Sequence, residues 1–250
     1  MMKKVLLSLL VVTVSCVATR AQSEAFRHYA VGVNVGTTGI GFDLGTTLGS
    51  YLQFRVGMNF MPKIKVKSQL DINTSVSGIS LSDVDIEGKM NMLDLSMLLD
   101  YYPSKRSSFH LTAGFYAGKD KFVEVYNTGG KEELKQIAAY NALNPPQKIG
   151  LELGDYLLEP DAQGNVNAYY KVSPVQPYFG IGFGRAVPKS HRVGFMVELG
   201  VRYWGKPSVY CQDKELKSSD LGGDEGDVLK TMTKIPVYPC LRFRLCGKIL

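Results

Sequence analysis

Four arginines and four carboxylates are the residues of this chain whose placement most suggests chemistry. Arg55, Arg202, Arg242 and Arg244 are matched in number by Asp43, Asp94, Asp100 and Glu198, and they are embedded in apolar or glycine-rich runs such as GFDLG, LQFRVG, MVELGVRYW and CLRFRLC. An isolated ion held away from water costs several kcal/mol unless it is paired and hydrogen-bonded, so equal numbers of opposite charge predict a closed network. The same cluster is also compatible with a gated ion path. The balance of charge favours a static plug, which would make a poor pore.

Other chemistry is weaker. GIGFGR, residues 180–185, spaces its glycines by two with no helix after them, whereas a dinucleotide fingerprint needs a strand-to-helix turn. A lipid hydrolase needs a nucleophile and a base together at the outer rim. His28 stands before the first strand, His110 on the ion-bearing parity and His191 in a short turn, so none is placed for that role. Asp220, Asp224, Glu225 and Asp227 lack the EF-hand spacing and read as a solvated acidic loop. No catalytic residue, cofactor-binding residue or metal ligand is expected.

The elements that must carry these ions are strands. In VGFMVELGVRYWG, residues 193–205, Phe195, Val197, Leu199, Val201 and Tyr203 alternate with Gly194, Met196, Glu198, Gly200 and Arg202. Side chains point to opposite faces with period two, so one face is apolar and the other small or charged. The same alternation recurs at 29–35, 40–44, 52–60, 93–101, 109–115, 179–183 and 241–245, which makes eight strands. Facing residues of a hairpin share a face. Tight turns would therefore set Val35 against Ile40, Leu44 against Phe54, Asp43 against Arg55, Tyr101 against Phe109 and Phe183 against Phe195.

The parity opposite the apolar one is rich in glycine and holds all eight ions but no lysine. Small residues interleaved with a few long ones suit the interior of a narrow eight-stranded barrel, which side chains just fill. The apolar face then looks outward. Five outward positions span about nine residues, roughly 30 Å of strand or about 23 Å of height at the usual tilt, close to the apolar band of a membrane barrel. Connections near 48–50, 102–108 and 187–191 are short and those at 62–88, 119–173 and 206–233 are long, the pattern of periplasmic turns and external loops. Tyr51, Tyr101, Tyr102 and Phe109 at one end, and Tyr170, Tyr203, Trp204, Tyr210 and Tyr238 at the other, read as interfacial girdles. Within 119–173, residues 131–143 have helical spacing that stops at Asn144-Pro145-Pro146, and 151–172 read as a hairpin turning at 160–164 that extends the barrel.

Residues 1–21 combine Lys3 and Lys4, an apolar run and small residues before Gln22, which reads as a secretory signal, leaving 22–250 as the barrel domain. A lipid anchor at Cys16 lacks the leucine expected before it. Removing the signal takes away Lys3, Lys4 and Arg20 and no acid, lowering the formal charge from +6 to +3, too weak a bias for nucleic acid. Cys211, Cys240 and Cys246 then remain, an odd number that argues against a disulfide framework.

VGVNVGTTGIGFDLGTTLG, PYFGIGFGRAVP, GVRYWGKPSVY and YPCLRFRLCGKIL resemble small outer-membrane barrels of the Bacteroidetes, of the architectural kind of OmpA and OmpX. The resemblance implies an all-β, eight-stranded antiparallel up-and-down transmembrane β-barrel with a short helix in a long loop, residence in the outer membrane, and no catalytic residue. Its expected partners are outer-membrane lipid and envelope or extracellular molecules met through 62–88, 119–173 and 206–233. The alternatives are a soluble lipocalin-like ligand binder, which is the same barrel turned inside out, a lipid A modifying barrel enzyme, and an accessory barrel of a secretion system.

Overall fold

A computed structural model of the chain describes residues 25–62, 64–70, 84–90, 92–143, 149–153, 156–216 and 235–249. The expected signal at 1–21, the helix stop at 144–146 and the acidic stretch 220–227 lie outside the described residues. In chain order the first strands are β1 (Tyr29–Gly36), β2 (Gly39–Thr47), β3 (Leu52–Phe60), β4 (Ile64–Leu70), β5 (Val84–Met90), β6 (Leu93–Tyr101), β7 (Phe109–Gly118) and β8 (Lys121–Asn127). Helix α1 (Lys131–Leu143) follows, and then come β9 (Leu151–Leu153), β10 (Tyr156–Leu158), β11 (Asn167–Lys171) and β12 (Val175–Phe183). The last are β13 (Val193–Tyr203), β14 (Ser208–Cys211), β15 (Lys214–Glu215) and β16 (Val237–Lys248).

Eight of these strands close an antiparallel barrel in the order β1-β16-β13-β12-β7-β6-β3-β2. They are the eight expected from alternation. In β6 the alternation is complete: Leu93, Leu95, Met97, Leu99 and Tyr101 are exposed on the outer wall, while Asp94, Ser96, Leu98 and Asp100 are buried within. Every other barrel strand repeats the pattern, with Phe42, Phe179, Phe183, Phe195 and Leu245 among the exposed residues. No described helix is long and apolar enough to cross a membrane, which leaves spanning by strands untouched.

Val35 pairs with Ile40 across the first turn as expected, where Gly39 takes φ +94°, a conformation side chains resist. The other three hairpins are offset by two residues. Leu44 faces Val56 and Asp43 faces Gly57, so Arg55 lies opposite Gly45; Tyr101 faces Leu111, and Phe183 faces Val197. A shift of two preserves the face of every side chain, which is why the alternation alone does not detect it. The extra residues are used in wider turns, one of which folds Ala186, Val187 and Pro188 into the barrel's end, where they are buried.

The long connections are not simply loops. They build a second, six-stranded sheet in the order β15-β14-β11-β8-β5-β4, and α1 packs on it through Leu134 and Ile137. Helix α1 occupies the predicted span. The expected 151–172 hairpin does not form: β9 pairs only with β10, and β11 runs between β8 and β14. The girdle assignment also changes. Tyr51, Tyr101 and Tyr203 are exposed at the barrel's rims, but Tyr102, Tyr170 and Trp204 are buried. Trp204 and Tyr170 join Phe122, Tyr156, Val172 and Val209 in an apolar layer between the barrel's upper rim and the second sheet. Aromatic content marks that level of the molecule, and packing under the cap takes those rings away from lipid.

Candidate functional site

All eight ions are buried inside the barrel, and they form three tiers. In the lowest, Arg244 on β16 grips Asp43 on β2 across β1: its Nε lies 2.8 and 2.9 Å from the two carboxylate oxygens and its Nη2 lies 2.5 Å from Oδ1. Asn34 on β1 donates to the same carboxylate at 3.3 Å. Gly32 makes room for the bridge, since a Cβ there would sit 2.5 Å from Arg244 Nε. Arg244 Nη1 also donates to the Ala186 carbonyl at 3.0 Å, tying the ions to the inturned segment. Gln53 holds Val187 from both sides, donating to its carbonyl at 3.1 Å and accepting from its amide at 3.0 Å, while the Tyr102 hydroxyl accepts from the Ala186 amide at 3.1 Å.

The middle tier centres on Arg55 of β3. Its Nε and Nη2 bind Asp100 of β6 as a fork, at 2.8 and 2.7 Å, and Nη2 also reaches Glu198 of β13 at 2.5 Å. Such forked, charge-assisted bonds are the strong kind. Tyr178 donates to Glu198 at 2.7 Å, and the Thr112 hydroxyl stands 2.8 Å from Asp100 and 2.9 Å from Glu198, able to donate to one of them. His110 Nε2 lies 3.5 Å from Glu198. In the upper tier Arg202 binds Asp94 at 2.8 Å, Asn59 donates to the same carboxylate at 2.9 Å, and the guanidinium lies 3.5 Å over the Tyr116 ring. Arg242 bridges the tiers loosely, 3.8 Å from Glu198 and 5.4 Å from the Tyr116 ring.

Asp43 and Arg55 therefore share the lumen without being partners. The two-residue offset gives Asp43 to Arg244 and Arg55 to Asp100 and Glu198. The supporting groups Asn34, Asn59, His110, Thr112, Tyr116 and Tyr178 stand on the ion-bearing parity of their strands, but their roles come only from pairing across the barrel. The inturned Ala186–Pro188 segment carries no such signal.

Asp100, His110 and Glu198 place potential ligand atoms within 4.8 Å of one another. Arg55 already bridges both carboxylates, so the positive charge that this pair balances is a guanidinium of the chain itself. Below the ions the lumen meets the Ala186–Pro188 segment. Above them Trp204 packs edge to face on Phe122, with centroids 5.3 Å apart, and lies 5.1 Å from Tyr238. Cys211, Cys240 and Cys246 are buried and unbridged.

Fold and interior together define a closed eight-stranded barrel with an apolar wall and an ion-paired centre. No protein-family model matches the sequence, and no curated protein matches it. Among solved structures, it is similar to CarO2 of Acinetobacter baumannii, with 18% identity over 89% of this chain and 98% of that one and a TM-score of 0.47. It is similar to CarO of the same organism at 18% identity over 88% and 96%, TM-score 0.45. A major outer membrane protein of Thermus thermophilus aligns at 16% identity over 89% and 99%, TM-score 0.37.

Proposed function

We propose that the chain is an outer-membrane β-barrel without enzymatic activity, whose lumen is plugged by its own ion pairs and whose structural or recognition role is exercised through the sheet above the barrel. The observation that carries the reading is the polarity of the wall: Phe183 is 65% exposed on the outside while Glu198 is 1% exposed within. A soluble lipocalin-like binder needs the reverse, an apolar cavity and a polar exterior. Only hydrocarbon makes a belt of exposed Phe, Leu and Val favourable on every strand of a closed barrel. The likeness to small barrels of the OmpA and OmpX kind belongs with this reading.

The plug follows from the pairing of every lumen carboxylate. A conducting lumen needs ions that bind a passing solute weakly, whereas Asp43, Asp94, Asp100 and Glu198 all bind arginines of the same wall. The lipid A modifying alternative needs a nucleophile and base at the lipid-facing rim; His110 lies in the lumen, while His28 and His191 are at the short-turn end. Planar-bilayer recording of the purified chain tests the proposal. Insertion without a sustained single-channel current is expected, and a stable open pore would overturn the plug.

A further inference from the structure

The short-turn end of the barrel has a charge pattern that the plug does not use. Its segments, 25–29, 46–53, 101–109, 184–193 and 246–249, carry Arg27, Lys105, Arg106, Arg185, Lys189, Arg192 and Lys248, together with His28 and His191, and not one Asp or Glu. This is a cationic collar of seven Lys and Arg around one rim. The opposite end mixes both signs, with Asp120, Glu124, Asp161 and Asp213 among Lys121, Lys171 and Lys214.

A groove of about 430 Å³ opens in that collar between the 102–108 and 184–192 turns. Its lining is of two kinds: the basic side chains Lys105, Arg106, Lys189 and His191, and the apolar Val193 and Phe195, both exposed on the outer wall. The groove is framed by bonds between the turns: Arg185 Nη2 donates to the Lys105 and Ser107 carbonyls at 2.9 and 2.7 Å, and Lys189 Nζ donates to the Lys105 carbonyl at 2.8 Å. Arg185 also lines the groove, and its Nη1 is buried with no hydrogen-bond partner in the protein.

We propose that this groove holds the headgroup of an anionic phospholipid, with the phosphate among Lys105, Arg106 and Arg185 and the acyl chains running along Val193 and Phe195. The inference rests on the membrane reading above and adds a ligand to it. Both kinds of lining are needed for the identification: a soluble polyanion would use the cations and leave the apolar residues bare, and a neutral lipid would do the reverse. Basic side chains at an anionic surface add attraction that salt screens.

Native mass spectrometry of the full chain, reconstituted in vesicles of equal phosphatidylglycerol and phosphatidylcholine, tests it. Phosphatidylglycerol should be retained about tenfold over phosphatidylcholine, and the Lys105→Gln, Arg106→Gln double variant should bring the two close to parity. Both substitutions fall in an exposed turn, and Lys248→Gln, on the collar outside the groove, should keep the preference. Equal retention by the unaltered chain, or an unchanged preference in the double variant, overturns the site. Displacement of the lipid by glycerol phosphate overturns the lipid assignment in favour of a simple anion site. Failure of the chain to insert even into pure phosphatidylcholine would instead sink the membrane reading, and the lipid site with it.

Discussion

The barrel and the sheet above it are made from the same kind of strand and turn opposite faces to their surroundings. In the barrel Leu199 is 56% exposed and its neighbour Glu198 is sealed inside; in the cap Leu134, Ile137, Val84 and Leu158 are buried while Glu132 and Lys135 pair at the surface. The change happens within a few residues, since Val84 and Ile86 of β5 are core and Leu93 and Leu95 of β6 are outer wall. On the membrane reading proposed above, the cap obeys the rule for water and the barrel obeys the rule for hydrocarbon.

That contrast is open to direct mutation. The largest effect is expected from Glu198→Ala, which strips Tyr178 of its acceptor and leaves Arg55 with Asp100 alone; losing one member of a buried ionic group costs about 3–5 kcal/mol. Urea unfolding from vesicles should show that loss with the cap's protease resistance lost in the same transition. Leu199→Arg, one residue along and facing out, should cost about 2–4 kcal/mol in vesicles, as a charge at mid-bilayer does. Leu134→Ala should cost about 2–4 kcal/mol through the cavity left under α1, and limited proteolysis should show it confined to the cap. The smallest effect concerns acid. A hydrogen bond from Lys171 holds the Asp120 carboxyl below its ordinary 3.8 at the base of the cap. A depressed carboxylate contributes stability above its unfolded value that is lost as pH falls through the folded one. Asp120 is exposed, so screening keeps the effect small. Hydrogen exchange in β8 and β11 should rise slightly below about pH 4, and Asp120→Asn should remove that dependence.

The sequence carried the barrel further than the cap because the two depend on different kinds of order. Alternation is local, and each barrel strand repeats it along most of its length, so wall and lumen can be told apart from residue order alone. Facing pairs are not local: Arg55 reaches Glu198 across 143 residues, and a turn two residues wider moves Asp43 from Arg55 to Arg244 without changing any face. The cap strands are short and less regular. Lys121–Asn127 carries Phe122 beside Glu124 and Tyr126 on one face, and its partners β5 and β11 lie on either side of it in the chain. Only α1, whose spacing is its own signal, was legible there. Trp204 shows the limit of reading by residue type, since a ring at a membrane boundary and a ring under a cap look alike in sequence.

The orientation of the wall can be measured with a single tryptophan. Trp204 is the only one in the chain, so Leu199→Trp in a Trp204→Phe background places one fluorophore at mid-barrel on the outer face. In vesicles, lipids brominated along their acyl chains should quench it strongly and aqueous iodide should not. Strong quenching by iodide with none from the brominated chains would put Leu199 in water, and the membrane barrel would be wrong.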